Sequence, residues 1–554
     1  MTDRTVVLDG RHLTIDEIAD IARRGAKVAI RPDALRRSAD AYGLLLEAAR
    51  EDVPVYWFNR GSGAGRQTQI FSGDPTSADN RKLISERELA LFRRGAFAGL
   101  GPEAQDEASV RAMLVVRANT MTYEAASPAL TQMLVDLLND RVTPVVESRG
   151  TVGEGDLAQL MNVAATMVGA GDAYYRGVRM PAAEALRRAG LKPLAPFGAD
   201  DSALESSNAW FTGRAALMVY DAREALFWSD LALAIDLDAM NSSITPLTAP
   251  VRQNRPFKWA NWDAARVLDM LKGSYLFQLD EQRIIQDPES LRASSIRQGS
   301  AWQSWAALRD DLLLQINSSD HNPAVKVGAS PADSWELATP QVRQFFVKGG
   351  PLSHGEHGFV LSNANWDPFP VENDVEAFTI ALANMDAAVS QRILRFTSTF
   401  FTVIPPLPPD PARAEDYGLT RASDFDVAAL MQDIAAAQIP VSPEGNALVG
   451  NVEDLEAQTN LAEHHARRVV DDTFDLLAED LLTGTYWLDM RKLQDDHRTF
   501  GEAPTAVWNA FRRVVPFRDN ASLQPTSTVE AMARAFIASH PAEGFYGTPV
   551  REDH

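Results

Sequence analysis

The chain has 554 residues, of which 45% are hydrophobic and 23% charged, and its formal net charge is −22. This composition allows a large core and argues against nucleic-acid binding, because phosphate needs a basic surface. The absence of cysteine excludes disulfides, thiolate nucleophiles and cysteine-ligated metal sites. No apolar run approaches the roughly 20 residues of a membrane helix, and the N-terminus lacks the apolar core of a signal peptide. We therefore expect a cytoplasmic protein without membrane contact.

The N-terminal part mixes strand-like and helical patterns. Thr5–Leu8, Lys27–Ile30 and Val53–Phe58 have the composition of short strands, and Ile15–Arg24 has helical spacing. From about Arg81 the pattern becomes strongly helical. Runs with apolar residues at helical spacing predict helices at Ser109–Asp140, Ser207–Ala234, Trp262–Phe277, Ser300–Gln315, Val371–Thr399 and Leu455–Leu482.

Two of these runs indicate how the helices pack. Val371–Thr399 and Leu455–Leu482 are apolar over much of their circumference, which is typical of helices buried between other helices or at a subunit contact. We predict a mainly α protein with a long-helix bundle, in an oligomer. The proline-rich residues 405–411 predict a loop.

We divide the chain into three regions from these patterns. Residues 1–200 form an N-terminal mixed α/β region with active-site loops. Residues 201–505 form the central long-helix bundle, and residues 506–554 form a C-terminal helical tail.

Several ordered patches resemble one enzyme family. Residues 149–180 read RGTVGEGDLAQLMNVAATMVGAGDAYYRGVRM, similar to the stretch GSVGASGDLAPL and the YRGxRM-like segment of the histidine and phenylalanine ammonia-lyases. Residues 55–63 (VYWFNRGSG), 286–292 (QDPESLR) and 317–323 (NSSDHNP) resemble that family's VYGVNTGFG, QDxYSxR and NSxxDNP. The chain thus resembles the aromatic amino acid ammonia-lyases and aminomutases up to about residue 475. The resemblance implies a long-helix bundle with a smaller mixed α/β N-terminal region, assembled as a homotetramer.

The resemblance also implies roles for four retained residues. Tyr56 stands at the family's proton-transfer tyrosine, and Arg292 at the arginine that grips the substrate carboxylate through two parallel hydrogen bonds. Gln286 stands at a polar position of the pocket, and Glu453 at the acidic position near the substrate amine. Because the family's pockets take residues from three chains, we expect Tyr56 and Arg292 to reach one pocket from different subunits.

Other pocket positions carry changed residues. Thr212 replaces the asparagine of the family's LNGTQ, Glu289 replaces the tyrosine of QDxYS, and Trp366 replaces the phenylalanine of GNFHG. Asn317 begins the NSxxDNP-like patch. We assign these four residues, with Arg292 and Gln286, to substrate binding.

The largest departure lies where the family forms its prosthetic group, 4-methylideneimidazole-5-one (MIO), from an Ala-Ser-Gly triplet. Gly153-Glu154-Gly155-Asp156 stands where five family residues would stand, and no Ala-Ser-Gly occurs elsewhere. We therefore expect that MIO is absent and that the protein uses no other cofactor and no metal. Glu154 places there a carboxylate that can shuttle a proton. Alternatively, it only closes a shortened loop before a helix, with Asp156 as the N-cap.

Three functions remain open at this point. The first is an MIO-independent, lyase-like enzyme that eliminates, isomerises, or adds and cyclises a carboxylate-bearing substrate, aromatic or amino-acid-derived. In this hypothesis Tyr56, Glu154 and Glu453 are catalytic and a small molecule is the substrate. The second is a non-catalytic homologue that acts as a binding or scaffold protein. The third is an amino acid ammonia-lyase or aminomutase.

Overall fold

The computed structural model describes residues 4–104, 106–398, 421–517 and 526–546, so the loop predicted at 405–411 lies outside the described residues. The chain forms two compact units. The first contains Met1–Tyr220, Arg309–Asn373 and Val441–Glu463, and the second contains the remaining stretches, Asp221–Leu308, Asp374–Pro440 and His464–His554. Each unit is assembled from three separate stretches of the chain, and the division predicted at residues 200 and 505 stays a prediction.

Helices dominate the described residues, as predicted. In chain order the first ten α-helices are α1 Ile15–Ala19, α2 Pro32–Arg50, α3 Ala78–Arg94, α4 Glu107–Thr120, α5 Pro128–Asn139, α6 Leu157–Met167, α7 Ala182–Ala189, α8 Asp200–Glu205, α9 Ala209–Met240 and α10 Ala249–Arg252. The others are α11 Lys258–Met270, α12 Glu289–Arg292, α13 Ser294–Ile316, α14 Trp335–Ala338, α15 Pro340–Arg343, α16 Phe369–Arg395, α17 Arg421–Ala437, α18 Thr459–Gln494, α19 Glu502–Val514 and α20 Thr526–Ser539.

The strands are short and belong to the first unit. They are β1 Thr5–Leu8, β2 Lys27–Ile30, β3 Leu100–Glu103, β4 Val142–Pro144, β5 Glu147–Arg149, β6 Asp172–Tyr175, β7 Val178–Pro181, β8 Ala324–Val327, β9 Phe346–Val347 and β10 Gly358–Leu361. β1 pairs with β2 in parallel, with Thr5 opposite Lys27. The remaining pairs, β3–β5, β4–β6–β7 and β8–β10–β9, are antiparallel.

Local signals in the sequence explain where several helices begin. Thr14 and Glu17 form a reciprocal capping box at α1. The Ser127 hydroxyl accepts the Leu130 N–H at the start of α5, and Pro128 occupies the first turn. The predicted run Ser109–Asp140 is therefore two helices, α4 and α5, because the serine and proline start a new helix within it.

One predicted strand is absent from the first unit. Val53–Phe58 forms a turn rather than a strand, because the Asn59 side chain donates to the Val53 carbonyl and accepts the Val55 N–H. Phe58 points into a core cluster that also contains Leu44, Leu45 and Val360. This turn, with the loops that follow β5 and β10 and the residues before α18, carries Tyr56, Glu154, Trp366 and Glu453.

Candidate active site

Tyr56 lies on the turn that precedes a glycine-rich loop. Its hydroxyl oxygen accepts the Gly63 N–H at 3.1 Å, so the loop folds back over the phenol. The neighbouring Trp57 has a left-handed backbone, with φ of 60°, and its ring lies edge-on to the Tyr56 ring at 6.2 Å between centroids. The turn and the loop therefore fix the position of the phenolic oxygen.

The loop between β5 and α6 carries Glu154 and is held by hydrogen bonds from several directions. The Thr151 hydroxyl donates to the Gly155 carbonyl at 2.9 Å and accepts the Gly153 N–H at 3.0 Å. The Asn208 amide donates to the Gly153 carbonyl at 3.2 Å. Gly153 has φ of +91°, and a Cβ there would lie 2.8 Å from the Ala457 carbonyl carbon. Only glycine fits this position without displacing the neighbouring backbone.

The Glu154 carboxylate is buried among other carboxylates. Its residue is only 7% exposed, and within the described residues the carboxylate makes no hydrogen bond. Burial, together with the negative charges of Asp367, Glu453, Asp454 and Glu456, raises the pKa of Glu154 to about 7. Glu154 therefore changes its protonation state near neutral pH, as a general acid or base requires.

The segment before α18 connects the Tyr56 loop to the Glu154 loop. Gly63 packs so closely against the Val449 side chain that a Cβ at Gly63 would overlap it. The Leu448 N–H donates to the Glu453 carbonyl at 2.8 Å. Burial raises the pKa of Glu453. The structure therefore brings the loops of Tyr56, Glu154 and Glu453 together within the first unit.

Asp156 does not cap its own helix. It precedes α6, but its side chain makes no capping bond there. Instead Oδ2 accepts the Phe211 N–H at 2.9 Å, in the first turn of α9. Burial raises the pKa of Asp156 to about 7, while its bonds to the α9 backbone lower it. Asp156 thus occupies the predicted N-cap position of α6, but its side chain attaches the Glu154 loop to α9.

Thr212 and Trp366 lie on segments next to these loops. Thr212, in α9, is 1% exposed, and its hydroxyl has no hydrogen-bond partner within the described residues. The Trp366 indole donates to the Asn363 carbonyl at 3.1 Å, and the adjacent Asp367 accepts the Phe369 N–H at the start of α16. Trp366 is therefore held next to the aspartate that faces Glu154.

The Asn317 amide group is occupied by contacts within the first unit. Oδ1 accepts the Leu13 N–H at 2.9 Å and the Asn119 amide at 3.1 Å. Nδ2 donates to the carbonyls of Leu13 and Leu313. These bonds join the N-terminal segment to the end of α13. They give Asn317 a structural role, and its predicted contact with substrate stays a prediction.

The other three predicted residues, Gln286, Glu289 and Arg292, belong to the second unit. Gln286 and Glu289 are exposed. Arg292, in α12, donates from Nε to the Asp287 carbonyl at 2.6 Å, and within the described residues its two Nη nitrogens make no hydrogen bond. Its guanidinium thus keeps the two donors that a bidentate carboxylate contact needs.

Sequence reasoning missed some of the acidic residues around Glu154. The sequence analysis grouped Glu453 with Glu154, and the charge of Glu453 raises the pKa of Glu154. The charges of Asp367, Asp454 and Glu456 also raise it, and these residues were not assigned to the site. One signal in the sequence could have assigned Asp367 to the site, because Asp367 stands at a position where the family has histidine. Its proximity to Glu154 depends on folding and not on spacing along the chain.

Comparison with known proteins identifies the family. Residues 13–513 match the family model described as aromatic amino acid lyase. The chain belongs to the aromatic amino acid lyase family. It is 26% identical over 508 residues to a histidine ammonia-lyase of Treponema denticola, covering 91% of this chain and 92% of that protein. These matches indicate a lyase and favour an enzyme over a non-catalytic scaffold.

Solved structures share the fold of this lyase. The ergothioneine-degrading enzyme ergothionase of Treponema denticola matches with a TM-score of 0.81 at 22% identity, covering 98% of this chain and all of that one. Histidine ammonia-lyase of Trypanosoma cruzi matches with a TM-score of 0.80 at 20% identity, covering 98% and 94%. The predicted long-helix fold is thereby confirmed.

The prediction that the protein uses no cofactor is wrong in the light of this family. The matches are to histidine and phenylalanine ammonia-lyases, which use the MIO prosthetic group. The loop of this chain nevertheless has Gly153, Glu154 and Gly155 where MIO would form. The tight packing of Gly153 and the buried Glu154 carboxylate do not fit the Ala-Ser-Gly triplet. We therefore derive no catalytic step through that group.

Two further expectations concern metals and membranes. No group of three or more histidine, aspartate or glutamate side chains in the described parts of the chain could hold a metal ion. No helix among the same residues is long and apolar enough to cross a membrane. The cytoplasmic location stays a prediction.

Proposed function

We propose that this lyase eliminates a cationic amine from a small, carboxylate-bearing, amino-acid-derived substrate by acid–base chemistry. The observation that carries the proposal is the buried Glu154 carboxyl. It has no hydrogen-bond partner within the described residues, and the negative charges of Asp367, Glu453, Asp454 and Glu456 raise its pKa. Negative charges that act together on a buried carboxyl group favour a positively charged ligand group, because a desolvated charge needs a counter-charge.

In this proposal Tyr56 removes a proton from the carbon next to the one that carries the amine. The electron pair of that C–H bond forms a double bond, and the C–N bond breaks, so the cationic amine leaves as a neutral amine. The Gly63 N–H, which donates to the Tyr56 oxygen, stabilises the negative charge on that oxygen. The products are an unsaturated acid and an amine.

Glu154 and Glu453 exchange protons with Tyr56 and with the departing amine. A carboxyl with a pKa of about 7, as for Glu154, is divided between both protonation states at neutral pH and can act in either direction. Glu453, whose pKa is also raised by burial, is the complementary group. Thr212 and Trp366 contribute to the pocket wall.

Arg292, with Gln286, binds the substrate carboxylate from a neighbouring subunit of a homotetramer, and Glu289 belongs to the same end of the binding site. In support, the Arg292 Nη donors are unoccupied within the described residues. Two apolar side chains of the same region of the second unit, Leu279 and Ile285, are fully exposed. Large exposed apolar side chains next to functional polar groups are typical of an interaction surface.

The test is a substrate screen with purified wild-type protein. Ergothioneine is included because one structural relative degrades it, and histidine because the relatives in sequence are histidine ammonia-lyases; phenylalanine and tyrosine complete the set. The assay measures the released amine and the ultraviolet absorbance of the unsaturated acid. We expect turnover of at least one compound with a cationic amine.

Variants then connect turnover to the site. Tyr56→Phe should lower kcat by roughly 10²–10⁴, and Arg292→Lys should mainly raise KM, because a point charge cannot reproduce the bidentate contact. Glu154→Gln should lower kcat without changing the fold. Undiminished turnover in both Tyr56→Phe and Arg292→Ala would show that the reaction takes place elsewhere.

A further inference from the structure

The residue that follows the proposed proton-transfer tyrosine has an unfavourable backbone conformation. Trp57 has φ of 60°, a left-handed region that a bulky side chain rarely adopts. Such a conformation persists only where the surrounding contacts hold it in place. Its direction also determines where the preceding residue, Tyr56, projects.

Two hydrogen bonds hold Trp57 in this conformation. Its backbone N–H donates to the Gly61 carbonyl at 3.2 Å. Its indole Nε1 donates to Oδ2 of Asp201 at 2.9 Å. Asp201 lies in α8 and is 2% exposed, so the second bond joins the turn to a fixed, buried acceptor.

Asp201 belongs to a cluster of three buried carboxyl groups in the first unit, together with Glu88 of α3 and Glu205 of α8. Their residues are 1–3% exposed. The Asp201 N–H donates to Glu88 Oε2 at 2.8 Å, and the charge of Asp201 raises the pKa of both Glu88 and Glu205. Buried carboxyl groups that lie close together resist ionising at the same time.

We propose that Asp201 is the positioning residue for Tyr56: its buried carboxyl group holds the Trp57 indole, and Trp57 sets the direction of the phenol. The proposal rests on the proposed function only in giving Tyr56 a proton to move. Asp201 acts through Trp57, to which it is hydrogen-bonded.

The charges around the cluster should make the contact between Asp201 and Trp57 depend on pH. Burial raises the pKa of all three carboxyl groups, and the charge of Asp201 contributes to the rise for Glu88 and Glu205. Arg87 and Arg94 of α3 oppose the rise, and Asp200 of α8 adds to that of Glu88. As pH rises and the carboxyl groups ionise, their mutual repulsion should increase. The hold on Trp57 should therefore weaken with increasing pH.

The experiment compares amide hydrogen exchange of residues 54–66 in the full-length protein and three variants. Trp57→Phe keeps an aromatic ring but removes the donor, and Asp201→Asn keeps an acceptor oxygen. Trp508→Phe is the matched control, because its indole donates to the Asp489 carboxylate at the same distance of 2.9 Å in the second unit. Losing one such bond should accelerate exchange about fivefold to tenfold.

We expect faster exchange of residues 54–66 in Trp57→Phe, and near wild-type exchange in Asp201→Asn and in Trp508→Phe. With a substrate from the screen, Trp57→Phe should lower kcat by about 10–10²-fold at unchanged KM, since small misplacements of a reacting group cost that much. After correction for the intrinsic rate, wild-type exchange should accelerate as pH rises, and Glu205→Gln should weaken that dependence.

Two results would overturn the proposal. One is equal exchange of residues 54–66 in wild type and Trp57→Phe. The other is equal acceleration in Trp508→Phe, which would indicate a general loss of stability. Failure of the substrate screen would count against the proposed function alone, because the exchange measurement needs no substrate.

Discussion

Substitution of Glu154 by glutamine should make the stability of the protein less sensitive to pH. An ordinary glutamate pKa of 4.5 rises to about 7 in the folded chain. The folded state therefore binds more protons than the unfolded state between these values, and stability falls as pH rises through that window. Glutamine is neutral throughout, so the variant lacks this loss. The variant should match wild type near pH 4 and be the more stable protein at pH 8.

The size of the effect follows from the shift in pKa. A difference between 4.5 and about 7 corresponds to about 3 kcal/mol at 1.36 kcal/mol per pH unit. Water screens part of this energy, since the facing Asp454 is exposed and Asp367 and Glu453 are only partly buried. We therefore expect a gain of about 1–2 kcal/mol at pH 8.

Urea denaturation of wild type and Glu154→Gln from pH 4 to pH 8 measures this gain. Asp367→Asn is the informative companion variant. It removes the neighbouring charge that contributes most to the raised pKa of Glu154, so it should move the transition to lower pH without abolishing it. A difference between wild type and Glu154→Gln that does not vary with pH would refute the reasoning.

Three further predictions concern the loop, the second unit and the assembly. Gly153→Ala should reduce stability and activity, because its Cβ would lie 2.8 Å from backbone atoms of Ala457 and Gln458. Gly155→Ala, whose Cβ would have its nearest neighbour at 3.7 Å, should be tolerated. Equal effects of the two substitutions in urea denaturation would contradict this prediction. Arg392→Ala should destabilise the protein by about 3–5 kcal/mol, because the Arg392 guanidinium bonds buried Asp236, Asp480 and Ser294; an unchanged urea midpoint would count against it. Light scattering at micromolar concentration should report a tetramer, and a monomer would exclude the proposed shared pocket.

The sequence predicted the helices well because apolar spacing is a local property. Ser300–Gln315 lies inside α13, and Ser207–Ala234 overlaps α9 from the first residue of that helix, Ala209, onward. α13 begins six residues before the predicted run, at Ser294, and α9 ends six residues after it, at Met240. The strand predicted at Val53–Phe58 is not formed. The Asn59 side chain hydrogen-bonds the backbone at Val53 and Val55, and these bonds replace strand pairing. Strand composition alone could not reveal that competition.

The site was predicted less completely than the helices. Family motifs placed Tyr56, Glu154 and Glu453, whose loops meet in the first unit. They could not show that Asp156 bonds the start of α9 or that Asp367 faces Glu154. Both contacts join residues far apart in the chain, so they depend on tertiary packing and leave no trace in local spacing.

The hydrogen bonds that hold the Glu154 loop determine how the Glu154 carboxyl group responds to the loss of its proton. On a loose loop, an ionised glutamate could swing into water, and its pKa would remain ordinary. Here Asn208 holds the Gly153 carbonyl and Asp156 holds α9, which leaves the backbone on either side of Glu154 little freedom to move. The charge of the ionised Glu154 carboxylate must then be compensated by a bound cation or proton, because the loop cannot move it into water. A ligand that brings positive charge to this loop should therefore release a proton on binding, and calorimetry in buffers of different ionisation enthalpy can count it.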